Sequence, residues 1–149
     1  GVFVETERDM VERIFHLADR RVSELMVPRT EMVWLNVDDS PEEIAATISA
    51  SPHSRFPVAQ DSSDNILGVV QVKNLWAQSQ NNQPLNLKAI LDKPLFLPES
   101  APAFKALEAF RQTRSQIAFV VDEFGGTEGL ITLTDLLEAI VGEMPNAGD

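Results

Sequence analysis

One design occurs twice in this chain, and the repetition constrains the fold more than any other feature. Gly129-Leu130-Ile131-Thr132-Leu133-Thr134-Asp135-Leu136 begins as an apolar, β-branched run, the pattern of a buried strand. It passes without a break into Leu136-Leu137-Glu138-Ala139-Ile140-Val141, where apolar residues at 136, 137, 140 and 141 recur with the helical period. Gly68-Val69-Val70-Gln71-Val72-Lys73-Asn74-Leu75 has the same plan 61 residues earlier. Phe56-Pro57-Val58-Ala59-Gln60-Asp61 lies over Ile117-Ala118-Phe119-Val120-Val121-Asp122 at that offset, and Ser40-Pro41-Glu42-Glu43-Ile44 over Ser100-Ala101-Pro102-Ala103-Phe104 at 60. Each copy reads strand, helix, strand, turn, strand, helix. Two copies of about 60 residues make a tandem pair of small α/β (α+β) modules, not a solenoid.

Thr132-x-x-Asp135 sits where the second copy turns from strand to helix. A hydroxyl and a carboxylate three residues apart there are open to two uses. Thr132 can cap the helix while Asp135 reaches back, as in a capping box, and the stretch alone favours that. Alternatively, the free N–H groups and positive dipole end favour a phosphate, and the carboxylate can accept two hydrogen bonds from a ribose diol. In the first copy Gln71 and Asn74 stand at these places; an amide offers one acceptor oxygen and two donors and suits a diol less well. That first junction therefore reads as degenerate.

The β-α-β-β-α unit with a G-h-h-T-x-x-D junction resembles the CBS domain. Residues 26–32 (MVPRTEM), 53–58 (HSRFPV) and 120–143 (VVDEFGGTEGLITLTDLLEAIVGE) are similar to the CBS pair of the CorC/HlyC family, bacterial relatives of the CNNM magnesium transport mediators. The resemblance runs from about residue 20 to 142. It implies two modules with pseudo-twofold symmetry, clefts between the halves that bind ATP or AMP (with Mg²⁺ as a companion of ATP), and pairing of two chains into a flat homodimer. It implies a ribose and phosphate contact at Thr132 and Asp135, an arginine, Arg55, reaching the phosphates, and Ile117, Ala118 and Phe96 alongside the nucleotide. Guanidinium suits the phosphate role because it is planar, permanently charged and bidentate. Arg29 is a further candidate, for ligand, partner chain or other domains. Members of the family carry membrane helices before the CBS pair and a small domain after it, so the resemblance makes this an excised piece from the cytoplasmic side of the cell membrane, joined to a membrane transport domain. A chain starting at Gly1 without methionine is in keeping with that.

Composition narrows the partners. The net charge of −11 argues against nucleic acid and anionic membrane surfaces. No Lys or Arg follows Arg114, whereas Asp122, Glu123, Glu128, Asp135, Glu138, Glu143 and Asp149 do. Such a tail is a solvated face or a collector of Mg²⁺; no tight carboxylate cluster marks a dedicated metal site. An anionic nucleotide would need Mg²⁺ and local arginines to offset the acidity. Cysteine is absent, which excludes disulfides and thiolate metal sites. No apolar run approaches the ~18 residues that span a bilayer, so the chain is expected to be soluble as given. Apolar residues make up 44% of the chain, enough for a core.

The expected layout is a lead-in helix within 1–19, one module over 20–80, a linker over 81–86, a second module over 87–142 and a tail over 143–149. The lead-in helix runs from Thr6 to Asp19, with Met10, Val11, Ile14, Phe15 and Ala18 on one stripe. Strands are expected at Met32–Val37, Phe56–Gln60, Ile66–Gln71, around Leu95–Leu97 and at Gln116–Val121, the last apolar enough to be central and buried on both faces. Ser40-Pro41-Glu42-Glu43 opens a helix to about Ala50 with cap, proline and capping-box glutamate in order; Ser100 is expected to cap another, to about Thr113. Asp61–Asn65 reads as a polar turn and Phe124-Gly125-Gly126 as a tight one.

His16 and His53 lack companions at ligand spacing, and Trp34 and Trp76 read as packing. No nucleophile with a His/Asp pattern, paired carboxylates or P-loop indicates an enzyme. The leading expectation is a regulatory module that senses ATP and biases a membrane transport domain through the lead-in helix. Its rivals are a direct Mg²⁺-sensing acidic module and a ligand-free dimerisation domain.

Overall fold

The computed structural model describes residues 7–9, 11, 12, 15, 16 and 19–143. The elements are α1 (Val22–Leu25), β1 (Val27–Pro28), β2 (Leu35–Asn36), α2 (Pro41–Ser49), β3 (Arg55–Gln60), β4 (Ser62–Gln71), α3 (Val72–Gln80), β5 (Leu95–Pro98), α4 (Ala103–Thr113), β6 (Ile117–Val121), β7 (Thr127–Thr132) and α5 (Leu133–Glu143). Short 3₁₀ turns lie at Arg29–Glu31 and Leu87–Ile90. Of the expected lead-in helix, the described residues are helical, with Val11 and Phe15 exposed; Thr6, Met10, Ile14 and Ala18 lie outside the described residues. Among those described, no helix is long and apolar enough to cross a membrane.

Contacts divide the chain into two units: Arg29–Pro94, and the residues up to Pro28 together with those from Leu95 onward. In the 29–94 unit, β2 runs parallel to β3 and β3 antiparallel to β4, in the order β2-β3-β4. Leu35, Ile44, Phe56, Val58, Val70 and Leu87 form its core. Burial of Leu87 draws the 87–90 turn onto this sheet. The amide of Gln78, itself buried, secures the preceding segment by donating to the Asn86 carbonyl at 2.9 Å and accepting its N–H at 3.2 Å.

The other unit has the order β1-β7-β6-β5, with β5 parallel to β6 and the other pairs antiparallel. Val22, Leu97, Ala106, Phe110, Ala118, Val120, Ile131 and Leu136 fill its core. β6 is interior in the sheet, and Ile117 to Val120 are all buried, as its apolar run demands.

Each unit thus takes in the segment that leads, in sequence, toward the other. β1 pairs with β7 through Val27 opposite Leu130 and Pro28 opposite Gly129. Asp92 bridges to Val69 in the same antiparallel sense, exchanging hydrogen bonds of 2.8 and 3.1 Å. Gly129 and Gly68, the repeated glycines, lie at these crossings. A Cβ on Gly129 would overlap the Val27 carbonyl oxygen, and one on Gly68 would come 2.5 Å from that of Asp92.

Helix starts follow the sequence in one case and depart from it in another. Ser40 and Glu43 make the full capping box of α2. Ser100, expected to cap α4, does not; the helix begins at Ala103, whose N–H donates to the Arg20 carbonyl at 2.7 Å, so backbone replaces the side-chain cap. The first strand is shorter than expected, because Met32 N–H closes a turn onto Arg29 O and only Leu35–Asn36 pair. β4 is longer: Asp61 alone makes the turn at φ 66°, so Ser62–Asn65 join the strand and register shifts absorb the excess.

Because the atoms that a new methyl would meet are backbone, Gly129→Ala and Gly68→Ala are each expected to destabilise the fold by roughly 1–3 kcal/mol. Urea unfolding checks this; an effect of a few tenths of a kcal/mol would show that the crossings can spread.

Candidate functional site

The junction between β7 and α5 is built by register. Ile117 lies opposite Thr132, Phe119 opposite Leu130, and Phe96 beside Phe119. Side chains on paired residues share a face and alternate along a strand. Phe96, Phe119, Ile117, Leu130 and Thr132 therefore occupy one face, while Leu97, Ala118, Val120 and Ile131 occupy the opposite one, in the core. The Phe96 ring is 47% exposed and its centroid lies 6.0 Å from that of the fully buried Phe119. On this face Phe96 is exposed and Thr132 half-buried, while Ile117, Phe119 and Leu130 are buried.

Thr132 does cap the helix: its Oγ1 accepts the Asp135 N–H at 3.0 Å. The second half of the expected capping box is missing, since the Asp135 carboxylate has no hydrogen-bond or ion-pair partner among the described residues. It is exposed in the first turn of α5, where the helix dipole favours negative charge. It is free to accept two donors from outside.

Of the residues singled out in the sequence, Phe96, Ile117 and Thr132 share this sheet face by register, and Asp135 follows in the first turn of α5. Ala118, expected alongside a nucleotide, instead points its side chain into the core, and its backbone lies in β6 between β5 and β7. Arg55 is the half-buried first residue of β3, in the 29–94 unit, and its guanidinium has no side-chain partner among the described residues. Arg29 is engaged, donating to Asp64 at 3.0 Å. Phe119 and Leu130 share the face but were not singled out; counting back by two from Thr132 would have reached Leu130, and its register partner is Phe119.

At the corresponding junction of the 29–94 unit two side chains bond to each other. Gln71, in the place of Thr132, does not cap α3; its Nε2 donates to Asp92 Oδ2 at 2.9 Å. No group of three or more His, Cys, Asp or Glu that could hold a metal occurs among the described residues.

Comparison with known proteins agrees with this architecture. The CBS domain family model matches residues 22–75 and 87–142. The UPF0053 protein sll0260 of Synechocystis is 47% identical over 146 residues, covering 98% of this chain and 33% of that protein. The magnesium and cobalt efflux protein CorC of Escherichia coli K12 is 37% identical, covering 97% of this chain and 50% of that one. This chain therefore spans between a third and a half of these relatives. The solved CBS domain of the bacterial CNNM/CorC family Mg²⁺ transporter in complex with ATP superposes with a TM-score of 0.82 at 37% identity, covering 93% of this chain and 99% of that one. The repeated modules, the glycine crossings and these similarities together make the chain a tandem CBS-domain pair belonging to the CorC/CNNM family.

Proposed function

We propose that this chain is a regulatory adenine-nucleotide-binding module, with ATP seated at the β7–α5 junction. The observation that carries it is the exposed Asp135 carboxylate, without a partner among the described residues, in the first turn of a helix that follows a strand whose face bears Phe96, Ile117 and Thr132 by register. The carboxylate suits the ribose diol, the helix N-terminus suits phosphate, and the apolar face with its aromatic ring suits adenine. The ATP complex of a relative 37% identical supports the same ligand class. Mg²⁺ bound with ATP offsets the chain's net charge of −11.

Regulation follows from differential affinity. A ligand that binds one arrangement more tightly than another shifts the population toward it. In this reading the CBS pair forms a homodimer on the cytoplasmic side of a membrane, and nucleotide occupancy biases a transport domain elsewhere in the polypeptide. No step makes or breaks a covalent bond, so the role is sensing, not catalysis.

Asp135→Asn removes one of two acceptor oxygens while the backbone N–H that Thr132 uses stays in place. It is expected to abolish most ATP binding with no change in folding, read as loss of the ATP-induced rise in melting temperature. A variant still stabilised like the parent would place the ribose elsewhere.

Arg55→Ala separates a surface charge from a phosphate ligand. A charge-assisted hydrogen bond is worth about 1.5–3 kcal/mol, so ATP affinity should fall about ten- to a hundredfold. Adenosine should bind variant and parent alike. Equal losses for both ligands in calorimetry would mean that Arg55 shapes the site without gripping phosphate.

A further inference from the structure

The two strand-to-helix junctions share a backbone plan; besides Gln71 and Asn74 in the places of Thr132 and Asp135, they differ in the crossing residue. In one unit, Val27 pairs with Leu130 next to Gly129. In the other, Asp92 pairs with Val69 next to Gly68. Leu130 and Val69 are equivalent in the repeat, so Asp92 holds the place of Val27. By register, Asp92 shares a sheet face with Val69, Gln71 and Arg55, and Val27 shares one with Leu130 and Thr132.

The consequence is chemical. Val27 has nothing to offer Thr132, whose hydroxyl is left to cap α5. Asp92 accepts the Gln71 amide at 2.9 Å, which fixes a carboxylate at the end of β4 beside the start of α3. The backbone bonds between Asp92 and Val69 hold the segment in place independently of the side chain. Arg55 lies opposite Gln71 on the same face, and no ion pair between it and Asp92 occurs among the described residues.

We propose that Asp92 is the specificity-determining residue that keeps anionic nucleotide out of the Gln71 junction and so directs it to the Thr132–Asp135 junction. The inference rests on the nucleotide reading given above. Gln71 acts as a positioning residue that holds the guard carboxylate over the place where phosphate would approach. Repulsion between like charges a few ångströms apart near a protein surface is large enough to add to the discrimination that Gln71 and Asn74 already make.

The test is reciprocal and compares residues of equal size. Val27→Asp places a carboxylate at the proposed ATP junction; Val27→Asn places the same shape without charge. Asp92→Asn removes the guard charge while keeping an acceptor for Gln71. Each protein is titrated calorimetrically with ATP in magnesium buffer and with adenosine. Val27→Asp is expected to bind ATP at least about tenfold more weakly than Val27→Asn, with adenosine affinities within about twofold of each other. Asp92→Asn combined with Asn74→Asp is expected to show a second, weaker ATP event that Asn74→Asp alone does not show and that persists when Asp135→Asn is added. Equal ATP affinities for the two Val27 variants, or equal losses for ATP and adenosine, would overturn the guard role. Where the Val27 variants do not fold, absence of a second event in the Asn74→Asp, Asp92→Asn double variant overturns it alone. A parent chain that binds no ATP overturns the nucleotide reading and this inference together; a parent that binds ATP alongside variants that do not differ overturns only this inference.

Discussion

The structure depends on the close approach of two backbones at Gly129 and again at Gly68. Each glycine lies on the last strand of its module, and across it runs the segment that leads toward the other unit. Any side chain there would meet a carbonyl oxygen, as a Cβ placed on either residue shows. The crossing gives the last strand a second paired edge, so its backbone groups are satisfied on both sides. It also fixes where the strand stops and the helix starts. Both junctions inherit their geometry from it.

That geometry explains why chemistry concentrates at the strand ends. With β7 held on two sides, its register with β6 and β5 places Phe96, Phe119, Ile117 and Thr132 on one face, while Ala118, Val120 and Ile131 fill the core beneath. Thr132 spends its hydroxyl on the helix, and the Asp135 carboxylate has no partner among the described residues. A capping box would have used both. The site is thus assembled from a local motif that stops halfway, and the unused half is the part suited to a ligand.

Much of this was legible in the sequence because the repeat carries it. The offset of 61 residues aligned strand with strand and glycine with glycine, and Ser40-Pro41-Glu42-Glu43 gave a helix start that the structure reproduces in full. What local patterns did not reveal were long-range substitutions of one hydrogen-bond partner for another. Ser100 looked like a cap, but the Arg20 carbonyl, 83 positions before Ala103, takes the helix's first N–H. Residues 62–65 looked like a turn, but Asp61 alone adopts the left-handed conformation that reverses the chain. The pairing of Asp92 with Gln71 has no local signature, since the two residues are 21 apart and neither is apolar. The sequence marked Gln71 as unsuited to ribose; the structure adds what Gln71 holds instead.

The central claim, that one junction of this CBS pair seats an adenine nucleotide and its repeat does not, is tested most directly by counting. Isothermal calorimetry with ATP and Mg²⁺ titrated into the chain is predicted to give one nucleotide per chain, with the single event lost in Asp135→Asn. Two equal events per chain would contradict the inequality of the junctions, and no event at all would contradict the nucleotide reading itself.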